Sequence, residues 1–134
     1  MSTTPTTPST LQSIGVAMFA VADQDAAIAF YLEKLGFELR NDTTFGEDGA
    51  MRWVEVAPPG SVARLALNPP MGGKVGGSTI GVETPDVPAE HARLAALGLD
   101  VGPTPQAVPG APLLFMMLDP DGNHIAVVEA PPAA

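Results

Sequence analysis

Two histidines, His91 and His124, and fifteen acidic residues carry most of the acid–base and metal-binding capacity of this 134-residue chain, which has no cysteine. That inventory excludes disulfides, thiol nucleophiles, thiolate zinc sites and any multi-histidine metal cage. A carboxylate facing an imidazole is the arrangement left for proton transfer, one group moving the proton and the other orienting it. Glu55, Glu83 and His124 are the candidates, because each falls in an apolar segment of strand length. His91, beside Glu90 and Arg93 in a helical stretch, reads as a solvated residue, and Glu47-Asp48 as a charged turn. Ser61 and Ser78 have neither an elbow motif nor a local base. Gly72-Gly73 and Gly76-Gly77 lack the spacing of a dinucleotide or nucleoside-phosphate loop and read as a hinge or lid.

The net charge is −9, with only six Lys and Arg. Six scattered cations do not form the phosphate footprint of a nucleic-acid partner or a polybasic membrane anchor. The longest apolar run, Ile14–Ala22, falls well short of the ~18 residues that a membrane helix needs. Met1–Thr10 is a Ser/Thr/Pro segment without an apolar run, expected to be a disordered tail. The expectation is a soluble, cytoplasmic protein.

An apolar fraction of 46 % supports a globular core, and the 14 glycines and 15 prolines punctuate it. Gln12–Ala22 predicts a strand. Asp23 stands at a helix N-cap, and Ala27, Phe30, Tyr31, Lys34 and Leu35 continue at helical spacing to Gly36. Phe37–Thr44, Met51–Ala57 and Ala63–Asn68 predict three strands. After the connector Asn68–Gly77 the pattern restarts: strand Thr79–Glu83, N-cap Asp86, helix Pro88–Leu97, then strands Leu99–Val101, Leu113–Leu118 and Asn123–Glu129. Asp119-Pro120-Asp121-Gly122 has type I turn chemistry. Leu35–Leu39 aligns with Leu97–Val101 at an offset of 62, and Asp23 with Asp86 at 63, so the chain reads as a duplicated βαβββ unit. The expected organisation is a tail over 1–10, one domain over 11–129 (module one 11–68, linker 69–77, module two 78–129) and a second tail over 130–134.

Val21-Ala22-Asp23 leading into Ala29-Phe30-Tyr31 and Leu35-Gly36-Phe37-Glu38, Arg52–Gly60, and Asp119–Asn123 before an apolar strand are similar to the vicinal oxygen chelate superfamily of glyoxalases, bleomycin-resistance proteins and extradiol dioxygenases. The resemblance implies an α+β fold of two tandem βαβββ modules, with curled mixed sheets forming a cup, helices outside, and a homodimer. In metal-dependent members, four strands each present one His, Gln or Glu into the cup. Carried over one position at a time, those residues are Val16, Ala66, Thr79 and Ala126. Valine and alanine offer no donor atom and one threonine hydroxyl is a poor ligand, so neither a metal nor any other cofactor is expected. Lyase or dioxygenase chemistry of the metal-dependent kind is unexpected for the same reason.

If those positions face inward, alternation brings Met18 with Val16, Glu83 with Thr79, and His124 with Ala126. Trp53 and Glu55 would join them, with Val54 and Val56 on the helix side. The candidate ligand-binding set is therefore Met18, Trp53, Glu55, Thr79, Glu83 and His124, and the candidate catalytic pair is Glu83 with His124. A mostly apolar lining with one aromatic surface and a few polar anchors suits a small organic molecule. The leading reading is metal-free binding of such a molecule, in the manner of drug sequestration. The alternatives are a metal-independent enzyme working through a carboxylate or His124, and a non-catalytic dimeric interaction module.

Overall fold

The computed structural model describes residues 7–132; the expected N-terminal tail lies outside them over 1–6, and the C-terminal one over 133–134. The first half of the chain runs β1 (Val16–Ala20), α1 (Gln24–Glu33), β2 (Glu38–Phe45), β3 (Met51–Ala57) and β4 (Arg64–Asn68). The second runs β5 (Thr79–Thr84), α2 (Val87–Ala96), β6 (Leu114–Leu118) and β7 (His124–Glu129). One sheet has the order β1-β4-β3-β2 and the other β5-β7-β6. In each, the first strand pairs in parallel with the last, and the remaining pairs are antiparallel. The two sheets are curled and unclosed, with the α+β architecture expected.

Both helices start the same way. The Asp23 carboxylate accepts from the Ala26 amide at 3.0 Å, and Asp86 accepts from Ala89 at 3.0 Å. Each cap satisfies one of the four amides a helix leaves unpaired at its N-terminus. Gly36 and Gly98 follow the helices at φ 74° and 84°, the left-handed conformation that turns the chain back onto the sheet.

Two expected elements are revised. The strand over Gln12–Ala22 is confined to Val16–Ala20, because its only partner among the described residues, β4, begins at Arg64. Leu99–Val101 is not a strand, which leaves the second sheet with three. Val101 is buried and Leu99 packs on the core, yet the backbone turns away at once. The Asp100 carboxylate accepts from the Gly102 amide at 3.2 Å, and Pro103, Pro105 and Pro109 follow without N–H groups to extend a ladder.

One core serves both halves: Phe19, Tyr31 and Val54 of the first belong to the same buried cluster as Leu94, Phe115 and Ile125 of the second. At the seam, the buried Asp119 carboxylate accepts from the Tyr31 hydroxyl at 2.9 Å, from Asn123 Nδ2 at 3.1 Å, and from the amides of Asp121 and Asn123 at 2.9 and 2.8 Å. Asn123 Nδ2 also donates to the Ala20 carbonyl at 3.1 Å, and Asp121 accepts from the Ala22 amide at 3.0 Å. Burial, reinforced by the charge of Asp119 and the hydrogen bond to it, pushes the Tyr31 hydroxyl far above the ordinary tyrosine range. Beside this latch, the Gly76 amide donates to the Ala20 carbonyl at 3.1 Å.

Tyr31 is the only tyrosine. Because its folded pKa is raised, the unfolded chain releases this proton first, from about pH 10, and stability present below that pH falls as pH rises through it. Alkaline urea unfolding should show this slope in the parent chain and lose it in Tyr31→Phe; an unchanged slope would contradict the assignment. At neutral pH, Tyr31→Phe should cost about 1–3 kcal/mol by removing a donor from a buried carboxylate.

The linker makes a second contrast measurable. Gly76 has φ 80°, and a Cβ there would collide with the Asp121 carbonyl oxygen, whereas a Cβ at Gly73 meets nothing. Gly76→Ala should lower stability by about 1–3 kcal/mol while Gly73→Ala stays within about 0.5 kcal/mol in the same melts.

Candidate functional site

Strand pairing fixes which side chains share a face. Met18 pairs with Ala66, Ala66 with Glu55, and Glu55 with Asn41, so one rank crosses the four-stranded sheet on the side away from α1. Val16 with Arg64 and Thr43 with Trp53 flank that rank. The opposite face carries Phe19, Leu67, Val54 and Val56, all buried in the core. Trp53 and Glu55 therefore face away from the helix.

Glu55 is only 8 % exposed. One of its oxygens accepts from Arg64 Nε at 2.7 Å and the other from the Trp53 indole N–H at 2.9 Å. Both oxygens of this carboxylate are thus engaged, one of them by a guanidinium in a charge-assisted hydrogen bond. Arg64 is the residue that the sequence reading passed over. It lies two positions before Ala66 on β4, so the alternation that placed Ala66 on this face places Arg64 there too.

On the second sheet, Thr79 pairs with His124, Gly81 with Ala126 and Glu83 with Val128. Thr79, Glu83 and His124 are exposed on one face, while Ile80, Val82, Ile125 and Val127 turn to the core. Glu83 and His124 do not meet. His124 sits opposite Thr79, four residues along β5 from Glu83, which is roughly 13 Å of strand and beyond hydrogen-bond reach. His91 also departs from expectation: it is buried, its Nε2 lies 2.9 Å from the Gly102 carbonyl, and its ring meets Phe115 edge-on at 5.1 Å. The chain returning at Gly102 covers it, so it belongs to the core of the second half.

The four positions implied for metal ligands share a face within each half, Val16 diagonal to Ala66 and Thr79 diagonal to Ala126. Their chemistry does not fit a divalent ion. Among the described residues, no three His, Cys, Asp or Glu gather where they could hold one.

Between the halves lies a cleft of about 660 Å³. Ala17, Phe37, Val56 and Leu65 line it from the first half, Ile80 and Val82 from the second, and Arg64 and Glu83 are its charged groups. A smaller recess of about 200 Å³ adjoins it, sharing Phe37, Pro58, Pro59, Val82 and Glu83. The rim over Pro58–Ser61 is held from behind: Arg40 donates to the carbonyls of Pro58 and Ser61, each at 3.0 Å. Of the six expected ligand residues, Glu83 lines the cleft directly, while Glu55 and Trp53 reach it through Arg64. Met18, Thr79 and His124 lie on the open sheet faces outside it.

A family model described as the Glyoxalase/Bleomycin resistance protein/Dioxygenase superfamily matches residues 13–127. Among solved structures, the chain is similar to a member of that superfamily from Sphaerobacter thermophilus, with 32 % identity, a TM-score of 0.81, and coverage of 90 % of this chain and 98 % of the other. It is also similar to TnmS3, an antibiotic binding protein from Streptomyces sp. CB03234, with 32 % identity, a TM-score of 0.80, and coverage of 92 % and 100 %. Uncharacterized protein YetH of Bacillus subtilis is 37 % identical over 59 residues, 44 % of this chain and 48 % of that protein. The match thus spans about half of that curated relative.

The ion pair itself is testable. Arg64→Met leaves the Glu55 charge buried with the indole alone and should cost about 1–3 kcal/mol, whereas Arg64→Met combined with Glu55→Gln should recover most of it. Additive losses in that double-mutant cycle, measured by urea unfolding, would mean that the pair is not coupled.

Proposed function

This chain belongs to the Glyoxalase/Bleomycin resistance protein/Dioxygenase superfamily, and from that premise we propose that it binds a small organic molecule without a metal, as a sequestering protein does. The carrying observation is the cleft: about 660 Å³, apolar over most of its lining, with one cation and one anion at its wall. Its size and composition suit a single organic ligand. The likeness to TnmS3, an antibiotic binding protein, extends over 92 % of the chain and supports binding as the activity.

The site chemistry favours binding over turnover. Glu55 is occupied by Arg64 and Trp53, and Glu83 stands apart from His124. Val16, Ala66, Thr79 and Ala126 offer a metal one poor donor, the threonine hydroxyl.

The same proposal includes a homodimer. Met18, Met51, Leu114, Met116 and Leu118 are each more than 40 % exposed. Met18 and Met51 share the open face of the first sheet. Leu114, Met116 and Leu118 lie opposite Val128, Ala126 and His124 on the open face of the second. A second copy set against these faces would remove apolar area worth about 25 cal/mol per Å² and bring Met18, Thr79 and His124 into an enclosed cup.

Metal analysis of the purified protein should find no stoichiometric transition metal, and a panel of antibiotics and metabolites should contain a compound that raises the melting temperature and perturbs Trp53 fluorescence. Binding at a hundred times Kd adds about 2.7 kcal/mol to the native state. A tightly held equivalent of metal, or conversion of the bound compound, would overturn the proposal.

A further inference from the structure

The four arginines are not equally engaged. Arg40 donates from all three guanidinium nitrogens to Glu38 and to the carbonyls of Pro58 and Ser61. Arg52 does the same to Asp42 and Asp25. Arg93 is gripped by Glu90 and the Lys34 carbonyl. Arg64 differs: among the described residues its only partner is Glu55, through Nε, and both terminal nitrogens are left without a protein acceptor. Its side chain is 39 % exposed and forms part of the cleft wall.

An arginine clamped at Nε keeps the planar fork of Nη1 and Nη2 in a fixed direction, so little side-chain freedom is lost when that fork is used. Two parallel N–H donors match two coplanar oxygens better than one carbonyl. Glu55 offsets part of the positive charge, so recognition here depends on the fork's geometry more than on net attraction. The partly exposed lining, Ala17, Pro58, Ile80, Val82 and Val128, is apolar and takes a hydrocarbon body. Glu83, the other charge of the lining, disfavours an acid placed at its own end.

We infer that the cleft selects an apolar, ring-bearing molecule with a carboxylate, held end-on by Nη1 and Nη2 of Arg64, with Glu55 as the positioning residue behind it. The inference rests on the cleft being the ligand site and adds the class of ligand to that reading.

The test compares naphthoate with its neutral isostere naphthamide by titration calorimetry against the parent chain, Arg64→Lys, and the Arg64→Met/Glu55→Gln double variant, which leaves no buried charge unpaired. The parent should bind the acid at least about tenfold more tightly than the amide. Arg64→Lys should lose most of that ratio and the double variant all of it, while amide affinity stays within about twofold. Equal binding of the two probes by the parent, or an acid preference that survives in the double variant, overturns the anchor and leaves the cleft standing as a ligand site. No binding of either probe at millimolar concentration overturns both.

Discussion

A buried carboxylate joins the two halves of the chain across the core that they share. Asp119 lies in the turn between β6 and β7, yet one of its donors, Tyr31, is on α1 of the other half, 88 residues away. An ionised group in such a place is tolerated only when its lone pairs are occupied, and here two side chains and two backbone amides occupy them. The Asp-Pro-Asp-Gly-Asn turn therefore does more than reverse the chain. It carries Asp121 to the Ala22 amide and Asn123 to the Ala20 carbonyl, so the end of β1 is fixed against the start of β7. The cleft opens between the two halves that this latch joins.

Each sheet has two unlike faces. On β3, Val54 and Val56 lie wholly in the core while Trp53 and Glu55 point the other way, a division made by the two-residue period of the strand. A charge on the helix-free face of a curled sheet still loses solvent, as the 8 % exposure of Glu55 records. The sequence meets that cost with Arg64 on the neighbouring strand and the Trp53 indole on the same one. The solution has a geometric consequence: both Glu55 oxygens are engaged, and the guanidinium at the cleft wall is tethered through Nε.

Local signals in the sequence were sufficient for the helix caps at Asp23 and Asp86, the turns at Gly36 and Gly98, and the alternation that assigns faces, because each depends on a few neighbouring residues. What depended on register was not legible. Glu83 and His124 share a face, but their separation is set by how β5 slides against β7, and that parallel pair is joined through 39 residues containing a helix and a third strand. The Glu55–Arg64 pair likewise needs the β3–β4 hairpin register. His91 is polar and mid-helix, and only the return of the chain at Gly102 makes it a core residue. Leu99–Val101 has a strand's side chains; the prolines beyond it, lacking ladder donors, decide otherwise.

The acidity of the chain takes on a different meaning once the cations are placed. At −9, the overall field repels anions and favours cationic ligands at long range. Yet Arg40 and Arg52 are saturated by protein acceptors, and Arg64 alone brings an open fork to the cleft. Net charge governs how often a ligand arrives; the contacts made within a few ångströms govern how long it stays. A molecule repelled at a distance and held at contact arrives slowly, so its affinity rests on the contacts that slow its release.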